Sequence, residues 1–450
     1  MNDRISCFKA YDARGKVPDE LNAGIAYRVG RAYAEFIKPR RVAVGRDVRL
    51  SSEELFAALT DGLTDSGVEV LDLGLCGTEQ VYFAAFHLEL DGGIMITASH
   101  NPVDYNGLKF VRECAKPLSG DSGLKDIRRI AEANAFSEAG PKGSIVKTDL
   151  GTEYVEHLLG YLADRQQLKS LKIVANPGNG MAGPVIDMLE PHLPFEFIKI
   201  QHEPDGTFPH GIPNPLLPDR RAATINAIKT HGADLGVAWD GDFDRCFLFD
   251  HNGRYIEGYY IVGLLGAQLL QQNPGETIVY DPRLTWNTIE LVTQNDGEPV
   301  QSKSGHAFIK ETMRKVNGIY GGEMSAHHYF RDFGYCDSGM VPWLLLTAMI
   351  SARDKTLAEL VDARIERYPV SGEINVEVAD PRAVIDKVQA HFNSLPHEID
   401  HTDGLGMDFG RWRFNLRCSN TEPLLRMNVE SRGDREMMEQ RRDEILDLIR

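Results

Sequence analysis

The sequence is short of positive charge. Its 49 lysines and arginines stand against 66 aspartates and glutamates, a formal net charge of −17 over 450 residues. Nucleic acids and anionic membranes both require a basic footprint, so neither is expected as a partner. Cysteine is scarce as well: six, at positions 7, 76, 114, 246, 336 and 418, with no C-x-x-C pair and no metal-style spacing. That usage reads as reduced thiols in a cytoplasmic protein. No apolar run approaches the roughly 18 residues of a membrane span. The start, MNDRISCFKAYDARG, has no basic region followed by an apolar core, so no signal peptide is expected. Apolar residues at 42 % and charged residues at 26 % are ordinary for a soluble globular chain. At roughly 100–200 residues per domain, the length corresponds to about three or four domains.

Several catalytic signatures are also missing. There is no G-x-S-x-G nucleophile elbow and no H-E-x-x-H zinc helix. What is present is a repeated grammar of strand, polar loop and helix. Residues 19–38 place Leu21, Ile25, Val29, Ala32 and Phe36 at near-helical spacing, and RVAVGRD follows as a buried strand. SSEELFAALTDGLTDSG opens with Ser51 and carries Glu54 three residues on, a capping-box signature. VEVLDLGL, a helix over 79–90 and GGIMIT continue the alternation. The grammar returns from LKIVANPGNG to DLGVAW, and again from GETIVYDPRLTW to GIYGG. Such alternation implies largely parallel sheets covered by helices on both faces. The last part, EINVEVAD, PRAVIDKVQAHF, RWRFNLRCSNTEPLLRMNVESR and a charged terminal helix, reads as α+β. The expected fold class is α/β: three similar mixed α/β domains plus a C-terminal α+β domain. Boundaries near 148, 251 and 367 give domains 1–148, 149–251, 252–367 and 368–450.

In open α/β sheets, ligands gather beyond the carboxyl ends of strands, so the polar loops there are the places to search. In TASHNP (97–102), Ser99 and His100 are adjacent, and Lys109 follows in NGLKF. Neighbouring side chains point in different directions, so His100 is not expected to serve as a base for Ser99. On this fragment a polar loop punctuated by Pro102 is the simpler reading. In AWDGDFDRC (238–246), Asp240, Asp242 and Asp244 alternate after a strand, with Arg245 beside them. Three carboxylates so close repel one another unless a cation neutralises them, and Mg²⁺ or Ca²⁺ takes such oxygens. The twelfth position of an EF-hand, which needs Glu, is His251. In GEMSAHH (322–328), Glu323, Ser325, His327 and His328 can hydrogen-bond sugar hydroxyls. In RCSNTEPLLR (417–426), Arg417, Ser419, Asn420, Thr421 and Arg426 offer a phosphate cradle; an N-cap is the alternative. Arg14 in YDARG, Arg283 in DPRLT, and His306 and Lys310 around KSGHAFIK each look like surface residues alone.

Together, in this order and one per inferred domain, these loops change the reading. The sequence resembles the α-D-phosphohexomutase superfamily along essentially its whole length. The resemblance implies that Ser99 carries the transferable phosphoryl group. It implies that Asp240, Asp242 and Asp244 bind Mg²⁺ with a phosphoserine oxygen. By the same resemblance Glu323, Ser325 and His327 read the sugar, while Arg417, Ser419, Asn420 and Thr421 hold the phosphate not being transferred. The superfamily's members have four domains around one deep cleft, and Tyr11, Arg14, Lys109, Arg245, His306 and Lys310 match further residues of it; His100, which is expected to support the serine loop, and Arg426 are further candidates for substrate binding. Arg283 stands where related bacterial enzymes often carry Lys. GEMS resembles the mannose-type and dual mannose/glucose-type members, although the AHHY that follows departs from the commoner GH. The implied activity is a phosphomutase working on mannose phosphate through a phosphoserine and a hexose 1,6-bisphosphate. A preference for both mannose and glucose, or a glucosamine phosphate substrate, stays open. A metal-dependent phosphatase and a catalytically silent sugar-phosphate sensor are the rivals from other classes. The remaining expectations are a hexose phosphate partner, a cytoplasmic location and a monomer or dimer. Lys109 and His327 are both candidates for the proton transfer.

Overall fold

The computed structural model describes residues 4–137, 140–162, 165–418 and 424–450, with no description of the Asp121 side chain. The chain forms two compact units. One comprises 1–255 with 332–352, the other 256–331 with 353–450. Among the described residues no helix is long and apolar enough to cross a membrane, and none of the six cysteines is in a disulfide.

In the first unit, strands Arg41–Arg46, Glu69–Leu75, Gly92–Ile96 and Ile145–Lys147 run parallel. Tyr105–Arg112 then returns antiparallel against Gly92–Ile96, and Ala13–Lys16 pairs antiparallel with Tyr105–Arg112. Arg14 therefore lies in a strand. The second sheet repeats the scheme. Lys172–Asn176 is parallel to Glu196–Lys199 and to Leu235–Trp239, and Cys246–Asp250 returns antiparallel on Leu235–Trp239. In the second unit Thr277–Tyr280 is parallel to Glu298–Gln301 and Tyr320–Gly322, and His328–Phe330 returns antiparallel. The last sheet is antiparallel throughout, with Trp412–Cys418 paired to Leu424–Ser431. The sheets are thus mixed, because each parallel run ends in a hairpin. The turns of the first three hairpins are residues 97–104, 240–245 and 323–327, three of the loops singled out in the sequence; residues 419–423 of the fourth lie outside the described residues.

The helices follow their apolar spacing, with local exceptions. Ala23–Ile37 is capped by Asn22, whose Oδ1 accepts from Ile25 N at 3.1 Å. Leu21, Val29 and Ala32 are buried, whereas Phe36 is 36 % exposed at the edge of the stripe. The capping box at Ser51 does not form. Ser51 has helical φ/ψ and makes no cap bond, and its Oγ accepts from Asn106 Nδ2 at 2.9 Å instead.

The segment 332–352 closes the first unit. Trp239 Nε1 donates to Gly339 O at 2.8 Å, and Trp343 packs edge-on against Phe195 and Phe197. Burying an aromatic of this size is worth about 2–3 kcal/mol. The buried Glu79 accepts from Tyr154 Oη at 2.6 Å, Ser338 Oγ at 3.0 Å and Gly339 N at 2.6 Å. One residue before it, Thr78 faces the second of the four loops.

Candidate active site

The first unit brings the serine loop and the aspartate loop into contact. Ser99 sits in the left-handed region at φ 49°, a costly conformation for a non-glycine residue that persists only where its surroundings impose it. Thr97 Oγ1 accepts from Ser99 N at 2.8 Å. Arg49 clamps the turn: its guanidinium donates to the carbonyls of Ser99 (3.0 Å), Asn101 (2.7 Å), Pro102 (2.8 Å) and Tyr105 (2.9 Å). Four carbonyls that the turn leaves without ladder partners are thereby satisfied. Gly241 lets the loops approach, since a Cβ there would lie 2.6 Å from Ser99 O.

Ser99 Oγ donates to Asp240 Oδ2 at 2.7 Å and lies 2.9 Å from His100 Nδ1. The expectation that His100 points away from Ser99 is therefore wrong. The positive φ at Ser99 breaks the alternation on which it rested. Arg245 Nη2 donates to His100 Nδ1 at 2.5 Å, so that nitrogen carries no proton. Burial first, then the nearby Arg245 charge, lowers His100 to about 4 and keeps the imidazole neutral. Burial opposes ionisation of Asp240, but Arg245, with Nε at 2.8 Å from Oδ2, brings it down to about 2.

Ligand atoms of Asp240, Asp242 and Asp244, all buried, lie within 4.8 Å of one another and could hold a metal ion. Lys109 Nζ bridges two of them, at 2.6 Å from Asp242 Oδ2 and 2.5 Å from Asp244 Oδ2. Burial works against the Lys109 charge, yet these carboxylates raise its pKa above the ordinary value. Asp242 Oδ1 is buried with no hydrogen-bond partner among the described residues. An orphaned oxygen in a triad of carboxylates suits a hard divalent cation. Thr78 Oγ1 donates to Asp242 Oδ2 at 2.5 Å, and Thr78 N to Asp242 O at 3.1 Å. Arg14 Nε binds Asp12 at 2.7 Å and Nη1 binds Asn101 Oδ1 at 2.7 Å. Tyr11 is half-buried just before that strand.

The second unit gathers the sugar loop and the arginines. Glu323 is buried; its Oε1 accepts from Tyr329 Oη at 2.6 Å and its Oε2 from Gly305 N at 2.8 Å. Burial raises its pKa against the pull of Arg283. Ala326 at φ 71° closes the turn, with its N donating to Glu323 O at 3.0 Å. His327 Nδ1 is 3.3 Å from Ser325 Oγ, whereas His328 is buried in the strand beside Tyr320, 2.7 Å from its hydroxyl. Only the first of the two histidines therefore stands with Ser325 and Glu323. Arg283 is held in a fork by Asp281 (2.9 Å to each oxygen) and reaches Glu323 and Ser325, each at 3.3 Å. Arg417 Nη2 and Arg426 Nη1 meet Glu373 at 2.8 and 3.2 Å. His306 opens the helix His306–Val316, half-buried, with Lys310 fully buried one turn on. Gly305, just before that helix, is tied to Glu323 through its N–H at 2.8 Å. Ser419, Asn420 and Thr421 lie outside the described residues.

Sequence reasoning missed Arg49, Thr78, Asp281 and Glu373. Asp281 alone had a local signal, as a carboxylate two residues before Arg283 after a strand.

Four models of the phosphoglucomutase/phosphomannomutase family match in chain order. Its alpha/beta/alpha domains I, II and III match 6–138, 152–253 and 257–368, and its C-terminal domain matches 373–448. The chain belongs to this family. It is 58 % identical over 456 residues to a phosphomannomutase of Salmonella montevideo, covering all of both chains. It is 57 % identical over 446 residues to a protein of Xanthomonas campestris pv. campestris (strain ATCC 33913) named for phosphohexose mutases, covering 99 % of each. A crystal structure of a phosphoglucomutase/phosphomannomutase family protein from Burkholderia thailandensis superposes with a TM-score of 0.88 at 32 % identity, covering 98 % of this chain and 96 % of that one. The four-domain α/β architecture expected from the sequence is thus the architecture of the family.

Proposed function

We propose that the chain interconverts mannose 6-phosphate and mannose 1-phosphate by passing a phosphoryl group through Ser99, with a hexose 1,6-bisphosphate as intermediate. Full-length relatives named phosphomannomutase support the choice of reaction. The observation that carries the mechanism is the Ser99 hydroxyl, held in a left-handed turn 2.7 Å from the buried Asp240 carboxylate.

Phospho-Ser99 gives its phosphoryl group to a sugar hydroxyl: the P–Oγ bond breaks as the new P–O bond forms, and the hydroxyl proton passes to a base. His327, half-buried beside Ser325, is the candidate base; Lys109 as an ammonium serves instead as fixed charge. The bisphosphate turns end for end, and its other phosphoryl group returns to Ser99. Such transfers depend mostly on positioning and charge neutralisation. Asp240, Asp242 and Asp244 would hold a Mg²⁺ ion, which when bound would supply neutralising charge for phosphoryl oxygens. Arg245 and Arg14 add fixed charge, and His100, neutral, buttresses Ser99 and Arg245. Glu323 and Ser325 read sugar hydroxyls, with Arg283 holding both. Arg417 and Arg426, with Ser419, Asn420 and Thr421, take the phosphate not being transferred. Tyr11, His306 and Lys310 are assigned to substrate binding by family resemblance. The boundaries near 148, 251 and 367 then separate one loop per domain, in a cytoplasmic monomer or dimer.

The test is twofold. Mass spectrometry after incubation with a hexose 1,6-bisphosphate should place one phosphate on Ser99. With the bisphosphate present, kcat/KM should be highest for mannose 1-phosphate among mannose, glucose and glucosamine 1-phosphates. Equal values for mannose and glucose make the enzyme dual. Release of inorganic phosphate as fast as isomerisation makes it a phosphatase and overturns the reading.

A further inference from the structure

Three guanidiniums converge on one carboxylate in the second unit. Glu373 Oε2 accepts from Arg417 Nη2 at 2.8 Å and from Arg283 Nη1 at 3.4 Å, and Oε1 accepts from Arg426 Nη1 at 3.2 Å. Together they hold Glu373 at about 2, overcoming the opposing effect of burial, so it is an anion throughout the working range. Its backbone is pinned. Gly372, at φ 68°, accepts from Asn428 Nδ2 at 3.0 Å, and the strand Ile374–Glu377 begins directly after Glu373. Arg417 Nε is buried with no hydrogen-bond partner among the described residues. A buried donor without an acceptor marks a place where a ligand oxygen is expected.

We propose that Glu373 is the resident anion of this cluster, a positioning residue that gathers Arg283, Arg417 and Arg426 and competes with a substrate phosphate for their N–H groups. The proposal rests on the reading that Arg417 and Arg426 take a sugar phosphate. Without an internal anion, three clustered guanidiniums repel one another and grip a phosphate dianion tightly. A mutase whose bisphosphate must let go and turn over cannot tolerate such a grip, because tighter binding of an intermediate slows its release. Glu373 keeps the cradle assembled and the phosphate exchangeable.

The experiment measures inhibition of the full-length enzyme by inorganic phosphate, with kcat and KM, for wild type, E373Q, E373D and R417A. In E373Q the inhibition constant falls about three- to tenfold, the effect of one charge at a partly exposed site. KM falls and kcat falls with it, a combination that mere loss of structure does not produce. E373D, which keeps the charge on a shorter arm, lies between wild type and E373Q. E373D also carries the test if E373Q does not fold. In R417A the constant rises. An unchanged or raised constant in the Glu373 variants, beside a raised one in R417A, overturns the proposal alone. An unchanged constant in R417A removes the anion site itself, and the underlying reading with it.

Discussion

The two units solve opposite electrostatic problems. In the first unit three buried aspartates face one ammonium and one guanidinium, Lys109 and Arg245, with His100 neutral. One negative charge is left over, and one carboxylate oxygen of Asp242 is unsatisfied. In the second unit Arg283, Arg417 and Arg426 face Asp281, Glu323 and Glu373, and the formal charges balance. A site in deficit recruits a cation; a balanced one binds an anion only by exchanging an internal carboxylate for it. In a chain of net charge −17, the cations beside these loops are each held in place by a carboxylate.

The largest expected effect falls on the first unit. Ser99→Ala should lower mutase turnover by about 10³-fold or more while the melting temperature stays at the wild-type value. Substantial residual turnover would remove the phosphoryl carrier and leave the first unit only a cation site. Next, Asp242→Asn abolishes the charge deficit. It should cost about 10- to 100-fold in rate and shift the Mg²⁺ titration to higher concentration; an unchanged titration would show that the deficit does not govern metal binding. Third, Arg49→Met removes the donor shared by four carbonyls. We expect about 2–3 kcal/mol lower stability in urea unfolding and a kcat reduced by about tenfold at little-changed KM. A raised KM with unchanged kcat would place Arg49 with substrate binding instead.

The smallest effect sharpens the second unit. Burial depresses His328 from 6.5 to about 3, so the native state stays unprotonated where the unfolded chain takes up a proton. Stability contributed this way is present above pH 6.5 and lost as pH falls towards 3, because the unfolded state binds more protons in that window. Between pH 6.5 and 5 wild type should lose about 1.6 kcal/mol that His328→Phe keeps. Parallel stability–pH curves would mean that His328 titrates in the fold, making it part of the site rather than of the core.

The sequence disclosed the four loops because each packs several chemistry-bearing residues into a few positions. It did not disclose Arg49, Thr78 or Glu373, whose partners lie 50, 164 and 44 positions away at the bonds to Ser99, Asp242 and Arg417. A single polar residue with a distant partner has no local pattern. His100 was misjudged for a related reason: alternation of side chains holds for extended backbone, and Ser99 at φ 49° is not extended. The capping box failed because Asn106, 55 residues on, takes the Ser51 hydroxyl.

By itself the sequence determined the alternation of elements and the chemical content of each loop, since both are written in neighbouring residues. Apolar periodicity selects strand or helix, and three alternating aspartates call for neutralising positive charge. Only the tertiary structure decided that the serine, aspartate and Glu323 loops are turns between antiparallel neighbours, that Ser99 meets Asp240, and which charge balances which. Those outcomes depend on strand pairing and on the close approach of backbone at Gly241, which are set by packing across the chain.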